Sequence, residues 1–242
     1  MRIDIITIFP EMFVPLDLSI VKRAKNANFV QIYIHNLRDY TKDSHKTVDD
    51  APYGGGSGMV MKPDILCLAV TDIKEQNPNA KVILMSPQGH VLTQEKCNDL
   101  SKTEGFILVC AHYEGVDERF VELMCDEEIS IGDYVLTGGE IPAMVLTDAV
   151  VRQITGVIDS GSVAEDSFMD GSLLDYPHYT RPSVFEGLEV PAVLLSGNHS
   201  EIKKWRKHEK IRNTLKKRPE LLENNVFDKE GRGIYENLLK KL

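Results

Sequence analysis

The sequence predicts an α/β protein: an N-terminal domain built on a mainly parallel sheet, followed by a small α-helical C-terminal domain. Three observations carry this. Apolar, β-branched runs at residues 2–9, 29–37, 81–85 and 105–110 alternate with helical patterns, and such alternation builds a parallel sheet covered by helices. Two glycine-containing loops, Tyr113-Glu114-Gly115 and Thr137-Gly138-Gly139-Glu140, follow apolar runs, which is where the strands of open α/β sheets end and bind ligands. After Gly156 the chain turns to Ser, Gly, Asp and Pro with few periodic apolar residues, and two helical patterns follow.

Taken in order, residues 2–9 form a first strand closed by Pro10. Residues 29–37 form a second, with Val30, Ile32 and Ile34 alternating against Gln31, Tyr33 and His35. Between them, residues 11–28 are helical in pattern, with Pro15 limiting where the helix starts. Residues 38–62 are polar and glycine-rich, too long for an ordinary connection and therefore functional or mobile. They lack the Lys-Ser/Thr step of a phosphate loop, and no G-x-G-x-x-G follows a strand, which disfavours a nucleoside-triphosphate or dinucleotide enzyme. Pro63 opens a helix carrying Ile65, Leu66, Ala69 and Ile73 on one face. A strand at 81–85, a turn at Ser86-Pro87-Gln88-Gly89, a helix from Thr93 and a strand at 105–110 come next. A helix then opens at Asp117, an apolar run covers 129–136, and a long apolar helix covers 141–154 with Pro142 in its first turn. The expected domains are 1–158, a linker at 159–172, and 173–242 with helices at 200–217 and 229–242.

Composition narrows the class. With 42% hydrophobic and 27% charged residues the chain reads as a soluble globular protein. No apolar run approaches the roughly 18 residues of a membrane span, and Met1 to Asp4 leads into a strand rather than a signal peptide, so a cytoplasmic protein without a membrane partner is expected. Cys67, Cys97, Cys110 and Cys125 show no C-x-x-C spacing and read as four reduced thiols. The net charge of −9 argues against indiscriminate nucleic-acid coating. Residues 203–218 nevertheless carry a local +8, leaving −17 elsewhere. A solvated helix face is the ordinary fate of such a run, but nine cations around Trp205 on an acidic protein favour contact with phosphates. Lys203, Lys204, Arg206 and Lys207 are the candidate contacts.

Five motifs stand out together: S-P-Q-G at 86–89, Y-E-G-V-D-E-R at 113–119, G-D-Y-V-L-T-G-G-E at 132–140, E-D-S-F at 165–168 and H-Y-T-R-P at 178–182. As a set they closely resemble the bacterial tRNA (guanine-N1)-methyltransferases, the TrmD family of the SPOUT superfamily, over residues 1 to about 222. The resemblance implies a trefoil-knotted α/β domain that binds S-adenosylmethionine, an obligate homodimer with composite active sites, and methylation of N1 of guanine-37, 3′ of the anticodon in tRNA. It places the cofactor pocket at Pro87, Tyr113, Glu114, Gly115, Ile131, Tyr134, Leu136, Gly138 and Gly139. It makes Asp166 the general base with Arg152 beside it and gives Asp175 a role toward the guanine bases; the basic run, read from its charge, is expected to meet the anticodon stem. It also implies a magnesium (Mg2+) requirement, with Glu114 as an oxygen ligand.

Four residues depart from the family pattern. Ala51 and Ser57 stand where Arg and Pro are usual, and Ala111-His112 replaces Gly-Arg before Tyr113. Should position 111 need positive φ, Ala there would cost about 1 kcal/mol.

The implied chemistry is an in-line displacement, in which positioning supplies most of the rate. N1 also carries a proton, and an aspartate of ordinary pKa, about 3.9, is a weak base for it. Arg152 can assist by stabilising charge that develops on O6, and a divalent cation can do the same. Without the resemblance, Asp166 reads as a helix cap or solvated linker residue and Arg152 as a partner of a helix C-terminus. The alternative from another class is a non-catalytic RNA-binding protein on the same scaffold, which would bind tRNA but not the cofactor.

Overall fold

The computed structural model describes every residue except 160, 162–164, 170, 171, 224, 241 and 242. The chain divides into two compact units, Met1–Ile158 and Asp159–Leu242.

The first unit is built on five parallel strands, β1 (Arg2–Thr7), β2 (Gln31–Asn36), β5 (Lys81–Val91), β6 (Gly105–Cys110) and β7 (Glu127–Ser130), in the order β2-β1-β6-β5-β7. Strand β6 is buried along its whole length, as a continuous apolar run in the middle of a parallel sheet requires. Its side chains alternate between two cores. Phe106, Leu108 and Cys110 join Ile3, Ile5 and the helices α1 (Ser19–Asn26), α3 (Gln94–Leu100) and α5 (Glu140–Val151). Ile107 and Val109 join Val82, Leu84 and the helices α2 (Pro63–Gln76) and α4 (Glu118–Met124) on the other face. Helix α2 buries Leu66, Ala69, Val70 and Ile73, and each large apolar side chain so covered is worth about 1.5–3 kcal/mol.

Three local expectations are corrected. The helix expected over 11–28 is a 3-10 turn at Pro10–Asp17 followed by α1, because Pro15 removes a backbone donor inside the segment. The turn expected at Ser86-Pro87-Gln88-Gly89 lies within β5: Met85 and His90 both face Ile129, so the four residues bulge out and the strand resumes. Gly89 permits this, since a Cβ there would stand 2.3 Å from the Glu128 backbone. The run expected at 129–136 stops pairing at Ser130, whose hydroxyl bonds both the N–H and the C=O of Gly132 and turns the chain away.

Two strand pairs were not expected. Short strands β3 (Asp49–Asp50) and β4 (Val60–Met61) pair antiparallel and clasp the glycine-rich loop between them. In the second unit β8 (Val184–Phe185) and β9 (Leu188–Glu189) form a hairpin turned by Glu186 and Gly187, both at positive φ. Such turns ordinarily announce themselves with Asn-Gly or Asp-Gly, and the Glu-Gly pair here is a weaker signal.

The rest of the second unit is helical: α6 (Ala192–Leu195), α7 (His199–Lys217), a 3-10 turn at Pro219–Leu222, and α8 (Lys229–Leu239). Its core is small, formed by Leu173, Ile211 and Leu222 with Leu215, Phe227, Ile234, Tyr235 and Leu238 around them. Residues 160, 162–164, 170 and 171 of the expected linker lie outside the described residues. Of its described residues, Glu165 and Ser167 hydrogen-bond to Arg206 and Asp175, and the Phe168 N–H donates to Leu173 C=O. No helix among the described residues is long and apolar enough to cross a membrane.

Candidate active site

The carboxyl end of β6 opens into residues 111–115, which a network of backbone bonds holds in place. Glu114 N–H donates to Met59 C=O (3.0 Å), Met61 N–H to Gly115 C=O (3.0 Å), and Gly115 N–H to His112 C=O (3.0 Å). The clasp of β3 and β4 thus braces the Tyr113-Glu114-Gly115 loop. The strained positions are Tyr113 (φ 60°) and Gly115 (φ 123°). Ala111 is not at positive φ, so the penalty foreseen for it does not arise. A left-handed non-glycine residue costs roughly 1–2 kcal/mol, and at Tyr113 it leaves the ring 42% exposed.

The loop after β7 returns to this point. His112 and Gly138 form an antiparallel bridge, and Gly139 N–H donates to Ala111 C=O at 2.7 Å. A Cβ on Gly139 would stand 2.7 Å from the Cys110 Cα, so only glycine lets the two backbones meet. Gly132 (φ 143°) lies against the Tyr134 ring, and the Tyr134 hydroxyl donates to Ile131 C=O at 3.2 Å.

Between the bulge of β5, the end of β6 and this loop lies a cavity of about 230 Å³. Pro87, Tyr113, Glu114, Gly115, Ile131, Tyr134, Leu136, Gly138 and Gly139 all line it. These are the nine residues that the resemblance pointed to, brought together from three segments. Ser86, Thr137 and Pro142 line it too; Ser86 and Thr137 stand beside residues singled out in the sequence, and that adjacency was the available signal, whereas Pro142 was read only as a helix-opening proline. Cys110 at its back is wholly buried, and burial, reinforced by the Glu140 carboxyl, pushes its thiol well above the usual range, so it is no nucleophile.

Glu114 is exposed at the cavity wall with its carboxyl against Gly58. No group of three His, Cys, Asp or Glu residues able to hold a metal occurs among the described residues. Mg2+ keeps most of its waters and takes only one or two carboxylates alongside substrate oxygens, so a single accessible Glu114 suits that ion and no dedicated metal cage is present among those residues.

Arg152 is the C-cap of α5, its N–H donating to Asp148 C=O at 3.1 Å. It belongs to the first unit. Asp166 belongs to the second, in a turn where its C=O accepts from Met169 N–H at 3.3 Å. Asp175 is firmly placed: its N–H donates to Ser167 Oγ (3.0 Å), its C=O accepts from Asn213 (2.8 Å), and its carboxyl lies 2.8 Å from His178 Nε2. The Tyr176 N–H donates to the other carboxyl oxygen at 2.7 Å, so His178, given no chemistry from the sequence, shares with it the orientation of the Asp175 carboxyl.

Lys203, Lys204, Arg206 and Lys207 line an open groove on the second unit. Fewer of these charges are free than the sequence count suggests. Arg206 pairs with Glu165 at 3.0 Å and lies over the Tyr176 ring at 4.8 Å. Lys207 pairs with Asp228 (2.7 Å) and Glu230 (2.8 Å), and Lys204 with Glu201 (2.9 Å). Among the described residues Lys203 has no ion pair. Tyr176, covered by this cluster and bonded to Glu165, is pushed up to about 12, chiefly by burial, and stays protonated.

Glycine backbones and aromatic side chains close a cavity at the carboxyl ends of parallel strands, the place where α/β enzymes as a class bind small molecules. The family model described as tRNA (Guanine-1)-methyltransferase TrmD matches residues 1–224. A protein of Dictyoglomus turgidum named tRNA (guanine-N(1)-)-methyltransferase is 53% identical over 244 residues, covering 100% of this chain and 98% of its own. Proteins of the same name from Dehalococcoides mccartyi (51% over 241 residues, 99% and 97% covered) and Chloroflexus aggregans (54% over 224 residues, 92% and 88% covered) are similarly related. The chain belongs to the tRNA (guanine-1)-methyltransferase family, and it is a methyltransferase.

Proposed function

We propose that this chain methylates N1 of guanine-37, 3′ of the anticodon in tRNA, using S-adenosylmethionine bound in the cavity of the first unit. The observation that carries the reading is the convergence of Pro87, Tyr113 to Gly115, Ile131, Gly132 and Tyr134 to Gly139 on one cavity. Its glycine walls let the backbone approach a nucleoside, and Tyr134 and Leu136 offer apolar faces. S-adenosylmethionine would supply an electrophilic methyl group on its sulfonium: N1 would provide the electron pair of the new bond, and the S–C pair would remain on sulfur as the thioether. Asp166 accepts the N1 proton, and Arg152 stabilises charge developing on O6. Glu114 would be an oxygen ligand of Mg2+, which would supply positive charge against the charge developing on O6. Asp175, oriented by His178 and the Tyr176 N–H, addresses the guanine bases, and Lys203, Lys204, Arg206 and Lys207 meet phosphates of the anticodon stem.

In this reading residues 1–158 are the cofactor domain, with the trefoil knot of the SPOUT superfamily, residues 159–172 the linker and 173–242 the tRNA-binding domain. The crossing of residues 138–139 against 111–112 suits such a knot. The enzyme acts as a cytoplasmic homodimer with composite sites. Helix α5 leaves Ile141 (44%) and Val145 (43%) exposed one turn apart, an apolar face that twofold pairing would cover. Incubating the purified protein with tRNA and labelled S-adenosylmethionine and mapping the product nucleoside tests the reading. Label in 1-methylguanosine at position 37 is expected; tRNA binding with no cofactor binding would instead favour the non-catalytic RNA-binding alternative.

A further inference from the structure

Glu140 is the first residue of α5, and it is 1% exposed. A carboxyl group is seldom buried without partners because desolvation costs several kcal/mol, and a helix start needs only an exposed cap. Here the helix N-terminus favours its charge, and two specific neighbours engage it. Oε1 accepts the Thr7 hydroxyl at 2.9 Å, and Thr7 Oγ1 in turn accepts the Phe9 N–H at 2.9 Å. The Phe9 ring meets the His112 ring edge-on at 5.0 Å, and His112 Nδ1 lies 3.7 Å from Glu140 Oε2. The circuit closes around Gly138, where a Cβ would stand 2.4 Å from both Oε2 and Nδ1.

That Nδ1 is buried and has no hydrogen-bond partner. A shift of less than about 1 Å would bring it within bonding distance of Oε2. His112 also packs edge-on against Tyr113 at 5.2 Å. Tyr113 and Gly138 both line the cavity, and both rest on the same imidazole.

We propose that Glu140 is a positioning residue for cofactor binding: through His112 it holds Tyr113 and Gly138 at the spacing the cofactor needs. The proposal rests on the reading that the cavity takes S-adenosylmethionine. Glu140→Gln is the informative substitution, since its carbonyl still accepts from Thr7 while its amide, a donor, cannot accept from His112 Nδ1–H. Wild type, Glu140→Gln, His112→Ala and the double variant are titrated with S-adenosylmethionine by calorimetry, and KM for cofactor, KM for tRNA and melting temperature are measured. Glu140→Gln is expected to weaken cofactor binding and raise KM for the cofactor about tenfold, as misplacement of a wall by a fraction of an ångström does. KM for tRNA stays unchanged, and the double variant is no worse than the weaker single variant. A merely structural role would lower the melting temperature without this selective loss. Wild-type affinity in folded Glu140→Gln, or losses that add in the double variant, would overturn the proposal. If Glu140→Gln does not fold, Thr7→Val, which frees the other end of the carboxyl, must give the same selective loss. Wild type is measured first: if it does not bind S-adenosylmethionine, the functional reading fails and this inference with it.

Discussion

At the scale of single residues, two aspartates show how differently one side-chain type is used. Asp4 is fully buried and accepts from Arg2 (2.8 Å), His35 (2.8 Å) and Asn77 (3.1 Å). Burial alone would raise its pKa, but the hydrogen bonds from His35, Arg2 and Asn77 outweigh it and hold the carboxyl below the usual aspartate range. A depressed folded pKa means that Asp4 stabilises the protein fully above the unfolded value, and that this is lost as pH falls through the lower folded value. Asp4→Asn is therefore expected to cost about 3 kcal/mol in urea unfolding at pH 7, with the difference from wild type shrinking as the pH falls below the ordinary aspartate pKa of about 3.9. Asp166 has the opposite character: only half-buried, in a turn, and proposed to meet the substrate proton. Asp166→Ala is expected to lower turnover by at least about 100-fold while cofactor affinity, measured by calorimetry, stays near wild type; near-normal turnover would remove Asp166 from the chemistry. Neither Glu140 nor Asp4 was given a role from the sequence. Asp4 lies in a segment read for its apolar neighbours and Glu140 closes a motif read for its glycines, and what singles them out is burial with partners 133 and 31 residues away, which no local pattern encodes.

Helices and strands were legible where one periodicity ruled. Strand β6 runs to its expected ends because every residue in it is buried, and α2 begins at Pro63 because proline suits a first helical turn. The misread segments are those where a special backbone geometry decides: the bulge of β5, the Ser130–Gly132 turn and the Glu186-Gly187 hairpin. Nine cavity residues were legible because the resemblance fixed them, not because period or charge did. On α7 the number of cations was legible, but their pairing was not, since Asp228 and Glu230 reach Lys207 from α8 and its cap. Neutralising Lys203, Lys204, Arg206 and Lys207 together should weaken tRNA binding and flatten its dependence on salt, with the logarithmic slope falling by about one for each phosphate that is no longer neutralised. Lys207→Gln should contribute more than Lys204→Gln, because it also uncovers two carboxylates rather than one. A salt slope unchanged in the fourfold variant would return this face to solvent.

For the whole molecule, the division at Ile158 separates Arg152 and the cavity from Asp166 along the chain. If the proposed dimer builds each site from both subunits, two dead variants must complement. Gly139→Leu blocks the cavity, its Cβ falling 2.7 Å from the Cys110 Cα, and Asp166→Ala removes the base. After subunit exchange half the dimers are mixed and each holds one intact site, so activity should return to roughly a quarter of wild type. Sites contained within one chain would give none.

The clasp of Asp49–Asp50 against Val60–Met61 has a consequence of another kind. Tyr53 is 98% exposed at the head of a run of glycines whose Cβ positions meet nothing, the sort of site that proteases open first. Chymotrypsin cleavage there would leave residues 1–53 and 54–242 as separate polypeptides. β1 and β2 would still be hydrogen-bonded into the sheet beside β6, and both arms of the clasp would still be paired. The protein should therefore survive cleavage at Tyr53 as a non-covalent pair of fragments, eluting as one species in native chromatography and separating only in denaturant.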